Sequence, residues 1–455
     1  MTESTVDLTA GPTGAEQLTG LFDRNGIHTV ELAVVDTQGH LRGKRIPVKQ
    51  FLDSTVRSGA NIADAIFVFD IKNNLSRNEF INMGTGYPDI RIVPDFTTLR
   101  LFRHRPGYAL VFGSAQDKHG TLHPLAPRTI LANQVRRCTT VGLDPVVATE
   151  MEFYLVHPDG TPVMDYVQYS SLTCGDEFEL ALHEIRDALA GVGMPVEGSN
   201  LEFGTGQMEI NVGPADAMRT ADNTVLYKSI VKQIAARHGW LATFMAKPFA
   251  GQSGSGMHIH TSLNVEGANG FASSDGAPNE LMSQWLAGLL EHAAAMTIIG
   301  VPNANSMKRI RPYTLAPTHI HWGGDNRTVL ARCLTEAGSA ANRVEFRSAG
   351  ANANPYLIIA AALSAGADGV ERGLDPGPKS EGDMYTNPGS CQPLPTTVDE
   401  AVAAYGGSLL AGRLGDMFSR SYLSLVRADA ELATAEGAPG DDVNDWERAR
   451  YMEHS

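Results

Sequence analysis

The chain has 455 residues, of which 43% are hydrophobic and 19% are charged, and its formal net charge is −15. This length accommodates two or three domains with a large core, and the composition is ordinary for a soluble globular protein. The negative charge argues against nucleic acid and anionic membranes as main partners, because both require a basic surface.

The four cysteines, Cys138, Cys174, Cys333 and Cys391, are far apart and form no CxxC pair. This spacing disfavours a disulfide framework or a zinc ribbon and is typical of a reducing compartment. Residues Met1–Gly20 are polar and acidic and lack the basic and apolar regions of a secretory signal. No uninterrupted apolar run is long enough to span a bilayer. We therefore expect a cytoplasmic protein.

The first hundred residues predict a small, mostly β domain. Leu18, Leu21 and Phe22 lie at helical spacing before Gly26, which predicts a short helix that ends at the glycine. Thr29–Thr37 then alternates between apolar and polar residues, which is typical of a strand. The pattern changes near residue 104, so the predicted domains are 1–104 and 105–455.

After residue 104, helices and strands alternate within one large unit, which predicts an α+β fold with an antiparallel sheet. The predicted helices are Pro127–Val141, Phe178–Val192, Ala221–His238, Pro278–Ile299 and Pro355–Arg372. The predicted strands are Val146–Val156, Gln207–Val212, Ala242–Ala246, His258–Leu263, His319–Trp322 and Arg343–Arg347.

Two carboxylates lie on one face of the strand that begins at residue 146. Glu150 and Glu152 are two residues apart, so their side chains point the same way. Like charges this close repel each other unless a cation or a proton lies between them. An isolated ExE pair is usually a solvated strand face, but apolar residues flank this pair and favour a functional site.

Three further segments add polar groups of the same kind. Glu202 and Glu209 flank a turn with two glycines, which lets both carboxylates reach one pocket. His258 and His260 share a strand face next to a glycine-containing loop, and Glu345 lies between two arginines on another strand. A single histidine is more often structural than a ligand, but the combination is difficult to explain by structure alone.

Five carboxylates and one imidazole on predicted strands describe sites for a hard cation such as Mg²⁺ or Mn²⁺ rather than for zinc. The candidate ligands are Glu150, Glu152, Glu202, Glu209, His258 and Glu345. Nearby arginines indicate a polyanion such as a transferring phosphate. The sequence has neither a Walker loop nor a GxGxxG after a strand, so metal ions and arginines would hold the phosphates.

In this order, the motifs resemble those of the glutamine synthetase family. The matching segments are Glu150–Glu152, Gly206–Glu209, Thr243–Pro248, Gly254–His260, Asn305–Arg309, Asp325–Arg327, Arg343–Arg347 and Asn354–Tyr356. The resemblance extends from about Thr29 to the C-terminus. It implies an N-terminal β-grasp domain, a catalytic domain built around a funnel of antiparallel strands, and a homododecamer of two hexameric rings with active sites between neighbouring subunits.

The resemblance also implies roles for individual residues. Glu152, Glu202 and Glu209 would hold one metal ion, and Glu150, His258 and Glu345 a second, with two or three Mg²⁺ or Mn²⁺ ions per site. Gly254, Arg309 and Arg347 would bind L-glutamate, and Arg327 would stabilise the phosphoryl group transferred from ATP. Arg332 and Arg343 would contact the nucleotide phosphates, and Ser262 would lie near the adenine.

The sequence departs from ammonia-using glutamine synthetases in the pocket for the amine. Leu315 occupies the position of a glutamate that binds ammonium and takes its proton, and a leucine can only contact an apolar group. Asp70 corresponds to the ammonium-binding aspartate, but in a rebuilt loop, and Asp89 also fits the family pattern. Further differences are Ser253 for an asparagine, Asn200-Leu201 for two histidines and Ala340 for a lysine.

This pattern resembles the γ-glutamyl-amine ligases, which act on polyamines, ethanolamine or monoamines, and predicts an organic amine as substrate. Three alternatives stay open: a true glutamine synthetase that uses ammonia, a non-catalytic ring-forming relative, and a guanidino phosphotransferase. Tyr385 lies near the loop where some relatives carry an adenylylated tyrosine, but its flanking residues differ, which favours an ordinary loop tyrosine.

Overall fold

A computed structural model describes residues 15–455 except residues 167, 168, 439 and 441. The expectation that the N-terminus lacks a secretory signal concerned residues 1–20. Of these, residues 1–14 lie outside the described part of the chain. Within the described part of the chain, no helix combines the length and the apolar character needed to cross a bilayer.

The N-terminal part is a mixed sheet of six strands covered by a helix. The helix is α1 (Ala15–Arg24), and it buries Leu18, Leu21 and Phe22, as the helical spacing predicted. The strands are β1 (Thr29–Val35), β2 (Leu41–Pro47), β3 (Ala60–Ala63), β4 (Asp89–Pro94), β5 (Arg100–Leu101) and β6 (Tyr108–Gln116). Their order is β2-β1-β6-β4-β3, with β5 beside β6, and only β1 and β6 run parallel.

Short helical turns connect these strands, at Val48–Gln50, Phe51–Thr55, Val56–Ser58, Asp64–Val68 and Phe96–Thr98. Strand β6 lies beyond the predicted boundary at residue 104, yet it pairs with β1 and β4. The change of pattern near residue 104 marks the turn before β6, where Gly107 has a φ of +86° against His28. The sheet of the first unit therefore continues past residue 104.

The second sheet has ten strands and carries the candidate site. Its strands are β7 (Asp144–Val156), β8 (Val196–Leu201), β9 (Gln207–Val212), β10 (Ala215–Asp216), β11 (Leu241–Thr243), β12 (Met257–Val265), β13 (Ala268–Asn269), β14 (Trp322–Gly323), β15 (Ala331–Leu334) and β16 (Arg343–Phe346). The main path is β14-β15-β16-β12-β7-β9-β8, with β10 and β11 beside β7 and β13 beside β12.

The sheet is antiparallel, as predicted, except at one edge, where β14 and β15 are parallel. The predicted strand His319–Trp322 is also shorter than expected. Only Trp322 belongs to β14, and His319 forms a single bridge with Pro393, so the segment between them is a loop.

The helices of the second part pack against this sheet and against one another. They are α2 (Pro127–Thr140), α3 (Asp176–Gly191), α4 (Ala217–Arg237), α5 (Glu280–Glu291), α6 (Ala293–Gly300), α7 (Ala304–Met307), α8 (Pro355–Arg372), α9 (Val398–Gly406), α10 (Leu409–Leu414), α11 (Asp416–Ala435) and α12 (Asp445–Tyr451). Helix α8 is buried along most of its length. A Cβ on Gly288 of α5 would lie 2.1 Å from the carbonyl oxygen of Ala365, so glycine allows α5 and α8 to approach closely.

The predicted single helix Pro278–Ile299 is interrupted at His292, which ends α5 and precedes α6. The Nε2 atom of His292 lies 2.8 Å from a carboxylate oxygen of Asp368 on α8. Both side chains are buried, so this tertiary contact accompanies the break, and the apolar pattern of the sequence gave no sign of it.

Candidate active site

The acidic pair of β7 faces two neighbouring strands. The buried side chains of Met151 and Phe153 point into the core, so Glu150 and Glu152 point to the opposite face. Across the sheet, Glu152 is directly opposite Glu209 on β9, and Glu150 is opposite His258 on β12. The strand register therefore brings together residues that are more than fifty positions apart in the sequence.

Glu150 lies between the two histidines of β12. One of its carboxylate oxygens is 2.8 Å from Nδ1 of His258, and the other is 3.1 Å from Nε2 of His260. Nδ1 of His258 is also 3.4 Å from the carboxylate of Glu345 on β16. Burial alone would raise the pKa of Glu150, but His258 and His260 outweigh it and lower that pKa.

A three-residue donor set fits one divalent ion. Ligand atoms of Glu150, His260 and Glu345 all lie within 4.8 Å of one another. The predicted ligand in this group was His258, which contacts both glutamates, whereas His260 was noted only as its neighbour on the strand face. The spacing of residues 258 and 260 places both imidazoles on one face of the strand, so the sequence pattern does not show which of them is the metal ligand.

A second group of carboxylates lies around Glu152. Burial, followed by the charges of Glu152 and Glu150, raises the pKa of Glu202 to about 8. Burial and the charges of Glu150, Glu152 and Glu202 likewise raise the pKa of Glu209. These acids oppose one another's ionisation, which is the condition that a bound cation relieves. Glu152, Glu202 and Glu209 do not form a group like that of Glu150, His260 and Glu345, whose ligand atoms lie within 4.8 Å of one another, so a second ion at these three acids stays a prediction.

Two neutral donors orient Glu152. The side-chain amide of Gln207 donates to one of its oxygens at 3.1 Å, and the backbone N–H of Gly256 donates to the same oxygen at 2.9 Å. Gln207 stood in the matched motif, but the sequence gave it no role. It also donates to the carbonyl of Gly254 at 3.0 Å, so Gln207 links the carboxylate of Glu152 to the loop that contains Gly254 and Gly256.

The glycine loop permits a close approach by Arg309. A Cβ on Gly254 would lie 2.7 Å from the carbonyl oxygen of Ala246 and 2.8 Å from Cγ of Arg309. A Cβ on Gly256 would lie 2.5 Å from Nη2 of Arg309. The buried guanidinium of Arg309 donates to the carbonyl of Ser348 at 3.2 Å and lies 3.5 Å from Nε2 of His258. The loop thus places a fixed cation beside the carboxylates.

Two arginines bind the two carboxylate oxygens of Glu345. Arg332 of β15 donates to one carboxylate oxygen at 2.5 Å, and Arg347 donates to the other. Burial would raise the pKa of Glu345, but Arg347, His258, His260 and Arg332 lower it to about 2. Glu345 is therefore ionised at neutral pH, as a metal ligand must be.

A cavity of about 610 Å³ opens beside the donor set of Glu150, His260 and Glu345. The cationic side chains in its lining are Arg327, Arg332, Arg343 and Lys379. The volume lies within the range of about 300–1,000 Å³ that is usual for small-molecule sites, and the cations suit a polyphosphate. Ser262 follows His260 on the same face of β12.

Two predicted residues lie apart from this cluster within the chain. The carboxylate of Asp70 accepts a hydrogen bond from Arg450 on α12 at 3.1 Å and from the backbone of Asn74 at 2.7 Å. Burial would raise the pKa of Asp70, but Asn74 and Arg450 lower it. Asp89 is exposed at the start of β4. A role for either acid would therefore require a neighbouring subunit, which stays a prediction.

Leu315 lies on a loop that the cluster itself holds. The backbone carbonyl of Leu315 accepts a hydrogen bond at 3.1 Å from Nη2 of Arg347, whose other amino group binds Glu345. Leu315 has a φ of +60°, and its side chain is partly open to solvent. This loop therefore presents an apolar side chain, as expected from the sequence.

Comparison with known proteins agrees with this geometry. The model of the family "Glutamine synthetase, catalytic domain" matches residues 124–451. A glutamate–isopropylamine ligase of a Pseudomonas species is 35% identical over 95% of this chain and 96% of its own. A gamma-glutamylethanolamide synthetase of Streptomyces coelicolor is 33% identical over 97% of this chain and 96% of its own.

Among solved structures, one titled as a GmaS/ADP complex superimposes with a TM-score of 0.81 at 29% identity, covering 95% of this chain and 98% of the other. These matches cover nearly the whole of this chain. The chain therefore belongs to the glutamine synthetase family of ligases.

Proposed function

We propose that this protein joins the γ-carboxyl group of L-glutamate to an organic amine in an ATP-dependent reaction that passes through γ-glutamyl phosphate. The observation that carries the proposal is Leu315, whose carbonyl is held by the same arginine that binds Glu345. At this position a leucine offers an incoming amine an apolar contact and offers ammonium no anionic partner.

Two of the relatives support an amine rather than ammonia. The two reported above are named for isopropylamine and for an ethanolamide, and both align over nearly the whole chain. Isopropylamine has an apolar group that suits a leucine, so a small alkylamine is the substrate class that we favour.

Each set of residues in the site would have a separate role in the proposed reaction. Divalent ions held by the donor set of Glu150, His260 and Glu345 and by the acids around Glu152 would neutralise phosphate charge and orient the γ-phosphoryl group. Arg332, Arg343 and Arg327 would bind the polyphosphate from the cavity wall, and Arg309 would bind a carboxylate of glutamate. Arg347 would hold the reacting end of glutamate next to the loop of Leu315. Phosphoryl transfer needs such positioning and charge neutralisation more than covalent help.

We further infer that a neighbouring subunit completes the site. Asp70 and Asp89 lie away from the cluster in their own chain, so an arrangement like the family's two hexameric rings, with its N-terminal β-grasp domain over the next subunit, would bring one of them to the amine. Measurement of the molecular mass in solution tests this point, since a stable monomer would exclude a shared site.

The direct test of the function is phosphate release from ATP with glutamate and a panel of amines. The panel contains ammonium, isopropylamine, ethylamine, ethanolamine, aniline and putrescine, with Mg²⁺ or Mn²⁺ present. We expect at least one organic amine to exceed ammonium in kcat/KM. Ammonium exceeding every organic amine would identify a true glutamine synthetase, and the absence of turnover despite metal binding would identify a non-catalytic relative.

A substitution at the loop examines the reasoning behind the proposal. Leu315→Glu supplies the missing acid, so we expect the ratio of kcat/KM for ammonium to that for the preferred alkylamine to rise by about tenfold or more. Leu315→Met is the matched control, because it preserves the apolar contact and adds no charge. An unchanged ratio in Leu315→Glu would remove the argument from this residue.

A further inference from the structure

Tyr385 holds the loop that carries Leu315. Here the Leu315 loop means residues 311–317. The hydroxyl of Tyr385 donates a hydrogen bond to the carbonyl of Ala316 at 3.0 Å. Its ring packs against the ring of Tyr313, with centroids 5.3 Å apart and an interplanar angle of 54°. The Tyr313 hydroxyl lies 3.3 Å from Oγ1 of Thr386, so the two segments meet at three points.

The Leu315 loop requires contacts of this kind to keep its conformation. Tyr313 and Leu315 have φ angles of +62° and +60°, a region that non-glycine residues rarely occupy. Such a backbone persists only where the surroundings hold it. Arg347 binds the carbonyl of Leu315, and Tyr385 binds the next carbonyl along the chain, so adjacent peptide groups are fixed by two different elements.

Tyr385 is itself held in a fixed orientation. Its backbone N–H donates to the carboxylate of Asp383 at 2.9 Å, and the other oxygen of that carboxylate accepts from Thr386 at 2.6 Å. Burial raises the pKa of Tyr385 to about 12, so the hydroxyl keeps its proton at neutral pH and can donate a hydrogen bond to a carbonyl.

We propose that Tyr385 is a positioning residue that keeps the Leu315 loop closed over the activated glutamate, where it excludes water and presents Leu315 to the amine. The inference rests on the proposed function for the presence of an acyl phosphate. When the loop opens, water adds to the γ-carbonyl carbon, the bond from that carbon to the phosphate oxygen breaks, and inorganic phosphate leaves. Glutamate is regenerated, and the net reaction is hydrolysis of ATP to ADP and phosphate.

The test compares phosphate released with amide formed in the same reaction. Tyr385→Phe removes only the hydroxyl, and the loss of one neutral hydrogen bond shifts the closed-to-open equilibrium of a loop by about fivefold. Because each amide formed also releases one phosphate, the measured ratio is that of excess phosphate, which is phosphate released minus amide formed, to amide. We expect this ratio to rise by about threefold to fivefold, and the preference for the best amine over its poorest competitor to fall. The KM values for ATP and glutamate should change by less than about twofold, since neither substrate loses a contact.

Two further variants separate positioning from general stability. Tyr313→Ala removes the ring contact from the loop side at a largely exposed residue, and it should raise the same ratio. Tyr405→Phe removes a buried hydroxyl that lies 2.7 Å from Ser419, away from the site, and it should leave the ratio unchanged. The inference is wrong if Tyr385→Phe and Tyr313→Ala both keep the parent ratio and selectivity.

The nucleophile used is whichever amine, or ammonium, the parent enzyme prefers. An enzyme that prefers ammonium would overturn the proposed function and still allow the ratio to be measured. The inference about Tyr385 would then stand or fall on that ratio alone.

Discussion

Binding of a divalent ion should release protons from the cluster of carboxylic acids around Glu152, namely Glu202 and Glu209. In the metal-free protein, the pKa of Glu202 is raised to about 8 and that of Glu209 is raised as well, because both acids are buried among like charges. A shift of Glu202 from 4.5 to about 8 corresponds to on the order of 5 kcal/mol that opposes its charged form, at about 1.4 kcal/mol per unit. A bound cation removes this opposition.

The size of the effect follows from the protonated fractions. At pH 7 a carboxyl with a pKa of about 8 carries about 0.9 proton. Glu209 adds a further contribution, so we expect between about one and two protons released per chain when Mg²⁺ saturates the site. Above pH 9.5 Glu202 is already ionised, and its share of the release should disappear.

Titration calorimetry of the metal-free protein with MgCl₂, repeated in two buffers of different ionisation enthalpy, measures this number. Glu202→Gln should lower the release at pH 7 by about one proton. Glu79→Gln, which changes an exposed carboxylate paired with Arg420, is the matched control and should leave the release unchanged. Tight Mg²⁺ binding at pH 7 without proton release would refute the assignment of these acids.

The same shifts fix the sign of the pH dependence of stability. A carboxyl whose pKa is higher in the folded than in the unfolded protein binds more protons when folded, so stability falls as the pH rises from about 4.5 towards 8. Mg²⁺ opposes this loss. The rise in Tm on adding saturating Mg²⁺ should therefore be larger at pH 8 than at pH 6.

Two other substitutions examine the framework of the site. Gly254→Ala would bring a Cβ within 2.7 Å of the carbonyl oxygen of Ala246 and 2.8 Å of Cγ of Arg309. We therefore expect the KM for glutamate to rise about tenfold or more and the KM for ATP to change little. Equal changes in both KM values would contradict a local effect. Lys308→Met would leave the buried carboxylate of Glu447 without its partner at 2.7 Å, and urea unfolding should show a loss of about 3–5 kcal/mol. The double change with Glu447→Leu should recover much of that loss, since it removes the unpaired charge.

The sequence determined the residue types and the faces on which they lie. Alternation along β7 and β12 showed that Glu150 and Glu152 share one face of β7 and that His258 and His260 share one face of β12, because side chains on a strand alternate with a period of two. Ordered motifs then identified the family, which the family model and the relatives confirm. These properties depend on local geometry, which neighbouring residues control.

Only the tertiary structure decided what depends on pairing between distant segments. The register that sets Glu152 opposite Glu209 comes from strands that are far apart in the sequence. The break at His292, the contact of Asp70 with Arg450, and the contact of Tyr385 with Ala316 likewise join segments that share no local pattern. Such contacts are selected by packing and by charge in the folded chain, so no periodicity in the sequence records them.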